Sequence, residues 1–171
     1  DLLKECQDRF GSEEVIVKPV VSANADFTYR LRPEQFDSAL SELQQVFAAR
    51  EYMIQPFLRT VVEEGEYSVF YFGGEYSHTI LKTPKNRDFR VQEEHGGLIK
   101  GVAAEATLLD AANLILQALK QQLLYCRADL VRDERGGFSL MELELIEPSL
   151  YFRTHPAAAE NFARALERWI T

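Results

Sequence analysis

Apolar residues recur at helical spacing from the start of the chain, at Leu2, Leu3, Cys6 and Phe10, and the pattern stops at Gly11. This predicts a short amphipathic helix over residues 1–10. EEVIVKPV then reads as a hydrophobic strand limited by Pro19, SANAD as a loop and TYRL as a second strand. From Pro33, the run PEQFDSALSELQQVFAAR repeats apolar residues at Phe36, Leu40, Leu43 and Phe47, which predicts a one-sided helix with proline at its start. YMIQPFL, residues 52–58, is the next apolar strand. YSVFYF and YSHTILK form a hairpin across GGE, where glycine supplies positive φ. Residues 83–97 show no periodicity and much charge, as in a loop ordered by a ligand. A long helix is expected over 101–124, then a hairpin of YCRADLV and FSLMELELI across RDERGG. HPAAAENFARALERWI closes the chain as a helix with Pro156 near its first turn. Helices separated by antiparallel hairpins argue for an α+β fold, with helices covering one face of a largely antiparallel sheet.

The 171 residues suffice for one well-packed unit. A net charge of −8, with the basic residues dispersed, argues against a nucleic acid partner and confines any anion site to a small focus. The apolar stretch 101–124 is broken by Glu105, Asp110, Asn113 and Lys120, so no membrane span is expected. Cys6 and Cys126 lie in no paired spacing and read as free thiols of a cytoplasmic protein.

Acidic residues interrupt the last two strands. Alternation places Tyr125, Arg127 and Asp129 on one face of YCRADLV, and Glu142 and Glu144 on one face of MELELIE. Together Asp129, Glu142 and Glu144 form an oxygen cluster of the kind magnesium accepts, with phosphate and water completing the shell. The alternative is a solvated strand face whose acids keep the sheet soluble. Lys18 and Lys82 each end an apolar strand, and Arg90 lies in the loop after Lys82. Each alone fits a rim position, but as a set they supply the cationic clamps that phosphoryl transfer needs beside a metal.

At these residues the chain resembles the ATP-grasp superfamily. VIVKPVVSANADFTYRL resembles the lysine strand and phosphate-covering loop, and YMIQPFL the linker strand that holds adenine. EEGEYSVFYFGGEYSHTILK is similar to the segment carrying a ribose-binding acid and then a phosphate-binding basic residue. Arg90 with Gly96 and Gly97 matches an arginine and GG pair of prokaryotic glutathione synthetase and ribosomal-modification ligases, and ADLV with MELELIEPSL resembles their metal-binding end. The resemblance implies an ATP-dependent carboxylate-amine ligase that uses Mg2+, with Mn2+ as an alternative, and proceeds through an acyl-phosphate. Its roles fall on Lys18 for phosphate, on Gln55, Pro56, Phe57 and Leu58 for adenine, and on Glu66 for ribose. Lys82 and Arg90 take the phosphate and the acyl-phosphate, and Asp129, Glu142 and Glu144 take the metal.

The match extends over residues 13–155, with departures. SANA stands where a glycine-rich phosphate loop is usual, and Glu144 stands where the family has asparagine. An earlier lysine strand and a substrate domain have no counterpart here, so 1–171 is expected to be the C-terminal nucleotide-binding domain of a longer enzyme. Partners would be small carboxylate and amine molecules, and a homodimer is compatible with the family. Arg153 is a candidate carboxylate clamp for the acceptor, or a helix-capping or surface-pairing residue. His95 is a proton carrier, an orienting donor or an ordinary loop residue. Two other classes compete: a degenerate nucleotide-binding domain, and an interaction module in which Asp129, Glu142 and Glu144 point in unrelated directions.

Overall fold

A computed structural model describes the chain apart from residues 1, 23, 24, 86, 87, 92, 94 and 95 and the side chains of Leu2 and Gln7. The chain separates into two compact units, Asp1–Leu58 and Arg59–Thr171.

The first unit contains α1 (Leu2–Phe10), β1 (Val15–Pro19), β2 (Tyr29–Leu31), α2 (Phe36–Val46) and β3 (Tyr52–Pro56). Its three strands pair antiparallel in the order β2-β1-β3. Alternation along β1 sends Val15 and Val17 into a core with Leu3, Leu31, Phe36, Leu43 and Phe47. Each such side chain contributes about 1.5–3 kcal/mol when fully buried. Ile16 and Lys18 therefore lie on the other face, where Ile16 is opposite both Arg30 and Gln55, and Lys18 is opposite Met53. The helix expected from Pro33 begins as a single 3-10 turn, Pro33–Gln35, before α2. Gln35 Oε1 accepts from the Arg32 N–H at 2.9 Å, satisfying one of the free donors at that start.

The second unit contains α3 (Thr60–Glu63), β4 (Glu66–Phe72), β5 (Glu75–Thr83), β6 (Leu98–Val102), α4 (Ala106–Leu119), β7 (Tyr125–Arg132), β8 (Phe138–Glu144) and α5 (Ala158–Ile170). Its five strands are antiparallel in the order β6-β5-β4-β7-β8. Helices cover both faces of this sheet, not one. Val69 and Tyr71 pack with Leu108 and Ala112 of α4, while Phe70 and Phe72 pack with Ala165 of α5. β4 is central and buried at every position from Ser68 to Phe72, so neither face is left for water.

Strand β6 replaces the start of the expected long helix. LIKGV is short and largely exposed, so it carries little periodic signal, yet it completes the sheet by pairing Thr79 with Val102 through Thr83 with Leu98. Glycine is required within it, because a Cβ on Gly101 would lie 2.5 Å from the Thr154 carbonyl oxygen. The β4–β5 turn has the expected glycines at positive φ, Gly73 at +57° and Gly74 at +82°.

Candidate functional site

One face of the five-stranded sheet changes character along its strands. At one end it carries Phe70, Phe72 and Ile80 under α5; at the other, register brings charged residues of four strands side by side. Glu66 of β4 lies opposite Lys82 of β5, Ser68 opposite Asp129 of β7, and Asp129 and Arg127 opposite Glu142 and Glu144 of β8. Lys82 Nζ is 2.7 Å from Glu66 Oε1 and 2.8 Å from Asp129 Oδ2. From the other side Arg127 donates to Asp129 through Nε, 3.0 Å from Oδ1, and through Nη2, 3.0 Å from Oδ2. The same Nη2 donates to Glu144 Oε1, and Nη1 reaches the Ser149 carbonyl at 3.4 Å.

Asp129 is fully buried between these two cations. Burial pushes its pKa up, but the Lys82 and Arg127 charges outweigh it and hold the carboxyl below the usual range. Burial works against the charge of Lys82 and of Arg127 too, and in both cases the facing carboxylates win, so both stay protonated. Glu66 goes the other way: burial dominates over Lys82 and raises its pKa. Glu144 is raised chiefly by desolvation, against the pull of Arg127. Glu142 is raised by loss of water on the sheet side and by the Asp129 and Glu144 charges, although it stands exposed at the rim.

Oxygens of Asp129, Glu142 and Glu144 all lie within 4.8 Å of one another. The three carboxylates converge, so the divergent arrangement expected of a plain interaction module is not what the chain has. A hard divalent cation fits this donor set. Three carboxylates suit magnesium or manganese, and Glu142 makes no hydrogen bond or ion pair among the described residues.

The other expected residues are distributed as follows. Arg90 sits in the loop between β5 and β6, its guanidinium bound to Asp88 through Nε at 3.1 Å and Nη2 at 2.9 Å. Arg153 is exposed, 2.5 Å from Glu93 Oε1, in a surface ion pair. His95 lies outside the described residues. In the first unit, Lys18 and Gln55 share the sheet face away from the core. Pro56 has no N–H, and the Phe57 N–H donates to the Glu14 carbonyl at 3.0 Å. The Phe57 ring is covered by the Arg30 guanidinium at 3.7 Å, and Arg30 is itself tied to Glu14.

Sequence reasoning missed the part played by Arg127. Alternation had already put it on the face of Asp129, and an arginine two residues from an aspartate within the apolar run YCRADLV was the available signal. The ion pair of Lys82 with Asp129, 47 residues apart, left no local trace.

No family model matches the chain. By sequence it is 30% identical over 166 residues to the cycloserine biosynthesis protein DcsG of Streptomyces lavendulae, across 91% of this chain and 54% of that protein. The chain thus spans about half the length of the curated relative it matches. The crystal structure of D-cycloserine synthetase DcsG superimposes with a TM-score of 0.81 at 25% identity, over 100% of this chain and 62% of that one. The D-alanine–D-alanine ligase of Bacillus anthracis gives a TM-score of 0.68 at 20% identity, over 99% of this chain and 57% of that one. The ATP-grasp ligase PsnB, solved with a phosphomimetic variant of its minimal precursor, Mg and ADP, gives 0.66 at 15%, over 96% and 50%. For the last two the likeness is one of fold.

Proposed function

We propose that this chain, whose fold is that of solved ATP-grasp ligases, is the nucleotide-binding part of an ATP-dependent ligase that activates a carboxylate as an acyl-phosphate and joins it to an amine through a carbon–nitrogen bond. The observation that carries this reading is the convergence of Asp129, Glu142 and Glu144 beside the buried Lys82. These three carboxylates would hold Mg2+, or Mn2+ in its place, and the metal would neutralise the phosphate oxygens during transfer. Lys82, fixed by Glu66 and Asp129, keeps a positive charge at the edge of the cluster, where charge on the transferred group is stabilised without reorganisation. Arg90 would exchange Asp88 for a phosphate oxygen, since its fork suits either acceptor. Lys18 would serve a phosphate as a point charge, and residues 55–58 would hold adenine. Glu66 is assigned to ribose by family position, and its ion pair with Lys82 supports an orienting role as well.

The substrates are proposed to be small amino-acid-like carboxylates and amines, the class suggested by relatives named as D-cycloserine synthetase and D-alanine–D-alanine ligase. The remaining half of the length of those relatives would supply the substrate domain, and a cytoplasmic location follows from the use of ATP.

Calorimetric titration with Mg-ATP tests this, repeated without magnesium and with Glu142 and Glu144 both changed to alanine. Binding in the micromolar to sub-millimolar range that needs magnesium and is lost in the double variant is expected. Absence of binding both in this chain and in a longer form that restores the preceding domain overturns the reading. A degenerate domain would bind Mg-ATP in the longer form yet release no ADP on addition of any amino acid.

A further inference from the structure

Arg127 stands where a metal ion would be most repelled. Its Nη2 donates to Asp129 Oδ2 and to Glu144 Oε1, two of the three carboxylates whose oxygens gather within 4.8 Å. Lys82 competes for Asp129 alone of the three: it neutralises Asp129 and Glu66 from the β5 side and makes no ion pair with Glu142 or Glu144 among the described residues. Around the cluster, Lys82 and Arg127 face Glu66, Asp129, Glu142 and Glu144. With all six charged, two positive charges meet four negative ones, a surplus equal to the charge of one divalent cation. Such a cation needs carboxylate oxygens at roughly 2.0–2.6 Å, depending on the metal. A carboxylate oxygen has lone pairs for both a metal and a hydrogen bond, but Arg127 Nη2, which bridges Asp129 Oδ2 and Glu144 Oε1, holds its positive charge between the two ligands, and one of these contacts must yield to admit the ion.

We infer that Arg127 is the resident counter-cation of this cluster and that it gives up Glu144, while keeping Asp129, when a divalent cation enters. The inference rests on the metal assignment made above. It goes further in stating that metal loading and the position of Arg127 are one equilibrium. Asp129 retains the arginine because it accepts from both Nε and Nη2 and is fully buried, whereas Glu144 accepts only from Nη2 and is partly open. The single, more exposed contact is the one that yields.

The test is Mn2+ binding to the whole chain without nucleotide, read by electron paramagnetic resonance, for the unmodified protein, Arg127→Met and Arg127→Lys. Removing one positive charge from beside a divalent ion should tighten Mn2+ binding by at least about tenfold in Arg127→Met. Arg127→Lys, which keeps the charge, should stay close to the unmodified protein. A second readout uses the unmodified chain and survives any folding defect of the variants. The Arg127 Nε–H resonance, assigned by its loss in Arg127→Lys, should shift as Mg2+ saturates the site. Mn2+ binding to the unmodified chain that is no tighter in a folded Arg127→Met, or an Arg127 resonance unmoved at saturating Mg2+, overturns the inference and leaves the metal site standing. Absence of Mn2+ binding in all three proteins and in the presence of ATP removes the metal site and the inference together.

Discussion

Lys82 Nζ lies 2.8 Å from Asp129 Oδ2, and both side chains are almost wholly enclosed. An ion pair this deep is a weak source of net stability, since each charge loses its water. Breaking it is another matter. Lys82→Met leaves Asp129 with Arg127 alone and Glu66 with no cation, and should cost about 3–5 kcal/mol in urea unfolding. A cost below about 1 kcal/mol would mean that water reaches the pair in solution.

Glu142 shows the opposite balance. It has no partner among the described residues and is repelled by Asp129 and Glu144. Glu142→Gln should therefore leave the metal-free protein as stable as before, or up to about 0.5 kcal/mol more stable given solvent screening at the rim. The same change should abolish the stabilisation that millimolar Mg2+ confers on the unmodified chain through linkage. Equal Mg2+ protection of both proteins in thermal melts would remove Glu142 from the metal site.

His78 of β5 is stacked on Phe70 at 4.2 Å between ring centroids, with Nδ1 on Ser77 Oγ and Nε2 3.1 Å from the Leu150 carbonyl. Burial, reinforced by His155 at 5.8 Å and opposed by the Leu150 carbonyl, lowers its pKa from 6.5 to about 4. The unfolded chain then binds the extra proton between pH 6.5 and 4, so acidification through that window favours unfolding, by on the order of 3 kcal/mol in all. Glu66, Glu142 and Glu144, with raised pKa values, act in the opposite sense, their destabilising charge being lost as pH falls. The contrast with His78→Gln isolates the histidine: its unfolding free energy should fall less between pH 6.5 and 4 than that of the unmodified protein. Parallel curves would place the pH sensitivity elsewhere.

Gly65 precedes Glu66 at a φ of +117°, and a Cβ there would lie 2.5 Å from the Lys82 carbonyl oxygen. Gly65→Ala combines backbone strain with a forced shift of the strand that carries Lys82, and should cost about 2 kcal/mol or more. It should also weaken Mg-ATP binding although it alters no charged group. Unchanged melting and unchanged binding would show that the turn relaxes without moving β5.

Periodicity by itself determined the helices at both ends, the two glycine-turned hairpins, the antiparallel α+β class, and the pairing of Asp129 with Arg127 and of Glu142 with Glu144 on their strand faces. These are local consequences of a 3.6-residue or two-residue repeat, and each is visible within a dozen residues. Tertiary structure alone decided the rest. It set β4 between β5 and β7, which buries both sides of β4 and calls for a helix on each face. It drew LIKGV into the sheet as β6, against its weak and exposed pattern. It also chose the partners of each charge, joining Lys82 to Asp129 and Arg127 to Glu144 across strands distant in sequence. Which cation neutralises which carboxylate depends on register and burial across strands, and no local repeat encodes either.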